Sequence, residues 1–167
     1  ENAFVLGCIG GTRYDKGLDI LLKALRSVTG DFELLIAGAE DAIKREKIEE
    51  LARPYRDRVK LHLSFLTDEE FEMAIQAVDA IVLPYRKTFN GDSGPLGEGV
   101  AKGKMIIAAN HGSLGDIVEK NHLGYTFESE NIEALKKVLN MAIQRTNYTY
   151  DEKANAYKNK LSINEFK

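Results

Sequence analysis

Short apolar runs alternate with longer segments of helical periodicity along most of the chain. The apolar runs have the length and residue types of buried strands, and they cover residues 4–9, 33–37, 59–63, 80–83, 105–109 and 125–127. Between them, apolar residues recur at the three- and four-residue spacing of helices, over residues 18–28, 42–55, 68–77, 95–101 and 114–120. This alternation predicts parallel strands whose connecting helices cover both faces of one sheet.

The C-terminal part of the chain continues with helical patterns only. Residues 132–145 have amphipathic spacing and predict a helix. From residue 148 the pattern is polar, but Tyr150, Ala154, Tyr157 and Leu161 recur at helix-like intervals. We therefore expect a helical tail over 148–167, and a missing domain is one hypothesis for its packing partner.

Taken together, these patterns predict an α/β fold with a doubly wound, Rossmann-like parallel sheet of about six strands and helices on both faces. A chain of 167 residues with 44% apolar residues supports one buried core, so we expect a single domain over 1–167. The chain begins at Glu1 and reaches a strand almost at once, which suggests a piece of a longer protein.

The charge balance restricts the kinds of partner. Lys and Arg number 23 against 26 Asp and Glu, a net charge of −3, so no general attraction to nucleic acid is expected and any anion site must be local. Cys8 lies in an apolar run and is predicted to be buried. The expected location is the cytoplasm, with any membrane contact peripheral, through the full-length protein at the inner face.

One candidate anion site is the loop GGTRYDKG at residues 10–17. Gly10 and Gly11 permit a sharp turn and close approach of a ligand to the backbone. Arg13 and Lys16 follow at a spacing that places two cations near the next helix, and both residue types bind phosphate. Taken alone, the motif is more typical of a turn with two solvated cations. Its glycine spacing matches neither a dinucleotide fingerprint nor a phosphate-binding P-loop.

The second candidate is the loop NGDSGPLGE at residues 90–98. Pro95 lies where a helix begins, and Leu96 and Gly97 are predicted to offer free amides. Glu98 falls in the first turn, where it would interact with the helix dipole or accept two hydrogen bonds from a ribose diol. Both loops follow strands of a doubly wound sheet, so we expect them to share one crevice and to form a diphosphate clamp.

Several ordered motifs resemble a known family. The series RYDKGLDILLKAL, LLIAG, LPY, SGPLGEGVAKGKMIIAA and DIVEKNHLGYTF is similar to the C-terminal, donor-binding domain of GT-B retaining glycosyltransferases of the glycosyl transferases group 1 family. The resemblance implies that this chain binds a nucleotide-diphosphate sugar and that a separate N-terminal domain carries the acceptor. It implies transfer of a hexose to a hydroxyl acceptor with retention, in cell-surface polysaccharide or glycoconjugate synthesis, without a cofactor or a protein-held metal.

The resemblance also assigns roles to residues. Arg13 and Lys16 match the basic pair that holds the donor diphosphate and stabilises the leaving group, while Glu98 matches the glutamate that binds the ribose. The family's other glutamate falls on Asn90, which can form hydrogen bonds but supplies no negative charge; compensation by Asp92 is one hypothesis. The remaining residues expected to form the diphosphate cradle are Gly11, Ser93, Gly94 and Leu96.

Other candidates carry weaker predictions. Phe65 and Leu66 are expected either to cover the nucleobase or to belong to the core. Tyr85 and Arg86 follow the fourth strand and are expected either to line the cleft or to form an ordinary exposed loop pair. The histidines have no metal-ligand spacing and are expected to form ordinary hydrogen bonds: His62, His111 and His122.

Two alternatives to a transferase stay open. One is a sugar-nucleotide epimerase of similar fold, and the other is a non-catalytic nucleotide-binding module in which Asn90 marks lost catalysis. In the transferase interpretation, the isolated domain is expected to bind a nucleoside diphosphate weakly and to transfer nothing.

Overall fold

The computed structural model describes residues 2–165 and contains one six-stranded parallel sheet flanked by helices. The strands are β1 (Phe4–Ile9), β2 (Phe32–Ala37), β3 (Val59–His62), β4 (Ala80–Leu83), β5 (Met105–Asn110) and β6 (Gly124–Glu128). The helices are α1 (Leu18–Leu25), α2 (Arg45–Leu51), α3 (Asp68–Gln76), α4 (Gly94–Ala101), α5 (Gly112–Lys120), α6 (Ile132–Ile143) and α7 (Glu152–Glu165). The predicted fold class is confirmed.

The strand order creates a crevice at the carboxyl ends of the two central strands. The order is β3-β2-β1-β4-β5-β6, and every pairing is parallel. The chain winds from β1 outward to β3 and then resumes at β4 on the other side of β1. Connections leave the neighbouring strands β1 and β4 in opposite directions, which opens a crevice between the loops that follow them.

Residues of β1, β2, β4 and β5 alternate between two cores. On β1, Phe4, Leu6 and Cys8 face a core that includes residues of α1, α2 and α6. Val5 and Ile9 face a second core formed with α3, α4, α5 and α7. Cys8 is buried, as predicted, and this burial raises the pKa of its thiol to about 12.

The tail helix α7 packs within the chain itself. Ala154 is buried in the second core, and Tyr157 and Leu161 pack against the same core, with α4 as the neighbouring helix. The helical tail predicted over 148–167 is thus observed over Glu152–Glu165, while residues 166 and 167 lie outside the described range, as does residue 1. Among the described residues, no helix combines the length and apolar character needed to cross a membrane.

The predicted helix over 42–55 is wrong at both ends. It begins only at Arg45, where the backbone N–H donates to the Glu40 carboxylate at 2.5 Å. It ends at Leu51, and a 3₁₀ turn over Arg53–Arg58 follows. Pro54 lies in that turn, and a proline ring with no N–H cannot continue an α-helix.

Candidate functional site

The loop after β1 turns sharply and folds back on itself. Gly10 and Gly11 have φ angles of +117° and +106°, which favour glycine. Lys16 Nζ donates a hydrogen bond to the carbonyl of Gly10 at 2.9 Å, and this contact closes the loop. The pKa of Lys16 is lowered, first by burial and then by the neighbouring charge of Arg13. The loop therefore holds two cations close together, one of them partly desolvated.

The β1 loop is also fixed to the loop after β2. A side chain at Gly38 would place its Cβ 2.1 Å from the amide nitrogen of Gly11, so the two backbones are in direct contact. Thr12 is buried, its N–H donates to Ala39 O at 3.1 Å, and its Oγ1 accepts from the N–H of Asp41 at 2.7 Å. The N–H of Gly11 has no hydrogen-bond partner among residues 2–165. The β1 loop is therefore positioned by its contacts with the β2 loop.

The loops after β1 and β4 meet, as the sequence predicts. Gly17 has a φ of +71°, and a Cβ at this position would lie 1.9 Å from the carbonyl oxygen of Pro84. The N–H of Arg86 donates to Asp15 O at 2.8 Å. Position 17 therefore has no room for a side chain, and the two loops are in direct backbone contact at this point.

Arg86 joins the two loops by its side chain. Its NH1 donates to Tyr14 O at 2.6 Å, and NH1 and NH2 contact the Asp19 carboxylate at 3.0 and 2.7 Å. The guanidinium also lies 3.7 Å from the centroid of the Tyr14 ring. Arg86 is only 7% exposed and Tyr85 only 3%, so the alternative of an exposed pair is wrong, while Tyr85 lines the cleft as the other alternative predicts. Arg86 therefore links the β4 loop to the β1 loop and to α1.

Tyr85 and Ser93 organise the start of α4. Tyr85 Oη lies 2.9 Å from Ser93 Oγ, and the Tyr85 ring stacks on Phe89 with centroids 4.1 Å apart. Ser93 caps the helix, since its Oγ accepts from the N–H of Leu96 at 3.2 Å. The N–H of Gly97 donates to Ser93 O at 3.3 Å.

The amides predicted to be free at Leu96 and Gly97 are therefore engaged, and that prediction is wrong. A serine cap followed by a continuous helix satisfies both of them within the chain. The N–H of Gly94, at the first helical position, has no partner within the described part of the chain. Among the described residues, Gly94 thus supplies the amide at the start of α4 that can donate to a ligand.

A cleft of about 340 Å³ lies between the two loops. It brings together five residues predicted from the sequence: Arg13, Lys16, Asn90, Ser93 and Gly94. Asp92 also lines this cleft, and Leu96 lines an adjoining pocket with His111. Gly11, also predicted to form the cradle, is not among the residues that line the cleft, and its amide nitrogen lies against Gly38 of the β2 loop.

Glu98 lies on the α3 side of α4, outside the cleft lining. Gly94, Glu98 and Lys102 are spaced four residues apart and share one helix face. That face lies against α3, because Lys102 Nζ contacts Glu72 Oε1 at 2.9 Å. Glu98 thus points toward the same side as the loop between β3 and α3.

That neighbouring loop carries a large exposed aromatic residue. Phe65 is 86% exposed, so the alternative that places it in the core is wrong for Phe65. Leu66 is partly buried against the second core. The loop is rigid at its helix end, where Thr67 and Glu70 exchange hydrogen bonds at 3.1 Å in a capping box.

The histidines with partners in the structure form ordinary side-chain contacts. His62 Nε2 lies 3.1 Å from Glu70 Oε2, and His122 Nδ1 lies 2.8 Å from Asp151 Oδ2. Across residues 2–165, no group of three or more His, Cys, Asp or Glu side chains is placed to hold a metal ion. The observed site instead offers cations and backbone amides, which suit a polyanion.

Comparison with known proteins gives a consistent result. Residues 3–145 match the family model described as Glycosyl transferases group 1. A glycogen synthase of Pseudomonas syringae pv. syringae (strain B728a) is 24% identical over 132 residues, which is 78% of this chain but 27% of that protein. The chain thus spans about a quarter of the length of this curated relative.

Two solved structures share the fold over nearly the whole chain. Sucrose-phosphate synthase from Thermosynechococcus elongatus superposes with a TM-score of 0.77 at 19% identity, covering 97% of this chain and 41% of that one. Anabaena HepE in complex with UDP superposes with a TM-score of 0.78 at 22% identity, covering 99% and 47% respectively.

Proposed function

Because the chain belongs to the glycosyl transferases group 1 family, we propose that it is the donor-binding domain of an enzyme that transfers a sugar from a nucleotide diphosphate to a hydroxyl acceptor. The observation that carries this proposal is that Arg13, Lys16 and the start of α4 line one cleft, between the loops that follow β1 and β4. The UDP in the HepE complex supports a nucleoside diphosphate as the ligand class.

In this proposal, Arg13 and Lys16 bind the diphosphate and offset the charge that develops when the bond from sugar to phosphate breaks. They act as electrostatic stabilisers of the leaving group and neither donate nor accept a proton. The amide of Gly94, which lines the cleft, adds a fixed donor at the start of α4. Glu98, on the side of the β3–α3 loop, binds the ribose, and the exposed Phe65 covers the nucleobase.

The finer chemistry is part of the same proposal. We propose a hexose donor and retention of the anomeric configuration, with Asn90 as a hydrogen-bonding residue beside the sugar. Asp92 lines the same cleft and supplies the carboxylate that Asn90 lacks. Since the chain spans less than half of both the sucrose-phosphate synthase and HepE, we propose that the acceptor site lies on a second domain. A role in polysaccharide or glycoconjugate synthesis is part of this proposal.

Titration of this chain with UDP, GDP and ADP by calorimetry tests the donor site. We expect one nucleotide to bind selectively, with a dissociation constant in the micromolar to millimolar range that is weakened about tenfold or more in Arg13→Ala and in Glu98→Ala, the effect of a lost charged hydrogen bond. The exposed pair Arg45 and Glu49 on α2 provides matched controls, Arg45→Ala and Glu49→Ala. Binding that is unchanged in both site variants would refute this assignment of the donor site.

Binding is also expected to weaken at alkaline pH. The pKa of Lys16 is lowered in the empty site, chiefly by burial, and a bound phosphate favours the charged amine and raises this pKa again. Below the empty-site pKa, the amine is charged in both states and affinity is insensitive to its titration. Above it, binding requires uptake of a proton, so the dissociation constant rises by up to about tenfold per pH unit.

The pH effect is measured by repeating the titration from neutral pH to pH 10, in Lys16→Met as well. The variant is expected to bind more weakly at neutral pH and to lose this part of the alkaline dependence, while titration of the nucleobase itself persists in both proteins. Equal alkaline slopes in the two proteins would show that Lys16 does not contact the phosphate.

A further inference from the structure

Arg13 is held at one specific nitrogen. Its Nε donates to Asp15 Oδ1 at 2.6 Å, while the guanidinium carbon lies 5.8 Å from the centroid of the Phe89 ring. Asp15 belongs to the β1 loop and Phe89 to the β4 loop, so the guanidinium lies between the two walls of the cleft. The Arg13 side chain is still 54% exposed, against 22% for Asp15.

We propose that Asp15 is a positioning residue for the donor diphosphate, which it serves by fixing Arg13 through Nε and leaving the NH1 and NH2 groups for the phosphate. This inference rests on the proposed function. A guanidinium has five N–H donors, and occupation of Nε leaves the planar fork of four that binds two phosphate oxygens at once. A free arginine at this exposed position would have to be ordered by the ligand itself, which lowers affinity.

Asp15 is itself well fixed. It lies in the 3₁₀ turn Tyr14–Lys16, and its backbone carbonyl accepts the N–H of Arg86 at 2.8 Å. Arg86 is in turn anchored by Asp19. The backbone of Asp15 is therefore held in place by the β4 loop. For this reason its carboxylate is suited to orient the exposed guanidinium of Arg13.

Asp15 also has an opposing effect, because its negative charge repels the anion that Arg13 binds. A simple alanine substitution would mix the two effects. Asp15→Asn and Asp15→Leu separate them, since both variants are neutral and similar in volume, and only asparagine retains an oxygen that accepts from Nε. The difference between these two variants reports the positioning effect alone.

The experiment is calorimetric titration of the chain with UDP, GDP and ADP in wild type, Asp15→Asn and Asp15→Leu. We expect Asp15→Leu to bind the preferred nucleotide roughly fivefold more weakly than Asp15→Asn, the effect of one net hydrogen bond. In an Arg13→Met background the two substitutions are expected to give equal affinity, because Asp15 acts through Arg13. Equal affinity of Asp15→Asn and Asp15→Leu when Arg13 is present would overturn the proposal.

A spectroscopic signal gives a readout that a general structural role would not change. In ¹H–¹⁵N correlation spectra, the Nε–Hε signal of Arg13 is expected in wild type and Asp15→Asn and is expected to be lost or broadened by exchange in Asp15→Leu. An unchanged Arg13 signal in Asp15→Leu would also overturn the proposal. Failure of the proposed function looks different, since Arg13→Met alone would then leave nucleotide affinity unaltered.

Discussion

Replacing Lys16 by methionine is expected to lower kcat for sugar transfer by about 10² to 10³ in an enzyme that carries this chain, the range for loss of one preorganised donor to a developing anion. Lys16 is partly buried, its Nζ lies 2.9 Å from Gly10 O, and it lines the cleft. A charge in such a place is screened less by water than a surface charge. Because negative charge develops on the diphosphate as its bond to the sugar breaks, removal of this cation affects the transition state more than the bound substrate.

The measurement is steady-state kinetics of the wild type and Lys16→Met with a saturating donor. Methionine keeps the length and apolar character of the lysine stem, so packing around Cys8 and Gly10 is largely preserved. Lys47→Met is the matched control, since Lys47 is exposed on α2 and far from the cleft. A kcat within threefold of wild type, with only KM altered, would show that Lys16 contributes to binding and not to leaving-group stabilisation.

Much of the fold could be predicted because its strands are short apolar runs with a clear period. All six predicted strands are present, and no strand end differs from its predicted position by more than one residue. Parallel strands buried on both faces leave this pattern in the sequence whatever the details of packing. The meeting of the β1 and β4 loops followed from the same prediction, since a doubly wound order places them side by side.

The connections inside the site could not be predicted in the same way. Arg86 and Asp19 are 67 residues apart, and neither has a spacing that indicates a partner. A charged residue after a strand is exposed in most loops, so the sequence does not indicate that Arg86 is buried. Nor does it indicate a role for Asp15, because the contact of Asp15 with Arg13 depends on the local 3₁₀ turn and not on a motif.

Helix caps account for another difference between sequence and structure. Pro95 correctly indicated a helix start, but the amides of Leu96 and Gly97 are satisfied by Ser93. A serine near a helix start caps the helix or faces a ligand, depending on its rotamer. Here a 2.9 Å contact with Tyr85 fixes the rotamer of Ser93. The sequence shows the cap residue but not the buried tyrosine beside it.

Replacing Arg86 by methionine is expected to lower the free energy of unfolding by about 3 to 5 kcal/mol, the usual result of removing one partner from a buried ion pair. Asp19 would then keep a nearly buried carboxylate without its cation, and Tyr14 O would lose its donor. In the wild type, burial opposes ionisation of Asp19, but the hydrogen bonds and charge of Arg86 outweigh it and lower the pKa of this carboxyl.

Urea denaturation of wild type, Arg86→Met, Asp19→Asn and the double variant measures this effect and its origin. If the uncompensated charge is the main cost, the double variant is destabilised by at least about 1 kcal/mol less than the sum of the single variants, a coupling typical of contacting residues. Arg45→Met is the control, because Arg45 forms only an exposed pair with Glu49, and its effect is expected to stay within about 0.5 kcal/mol.

The Arg86 variant should also change the donor site at a distance. Arg86 holds Tyr14 O and, through its own N–H, Asp15 O, so it determines where the β1 loop stands relative to the β4 loop. Loss of the side chain leaves the backbone contact at Asp15 but removes the contact at Tyr14, and the separation of Arg13 from the start of α4 becomes variable. We therefore expect Arg86→Met to weaken nucleoside diphosphate binding under conditions where it remains folded. Unaltered affinity combined with reduced stability would limit Arg86 to a role in folding alone.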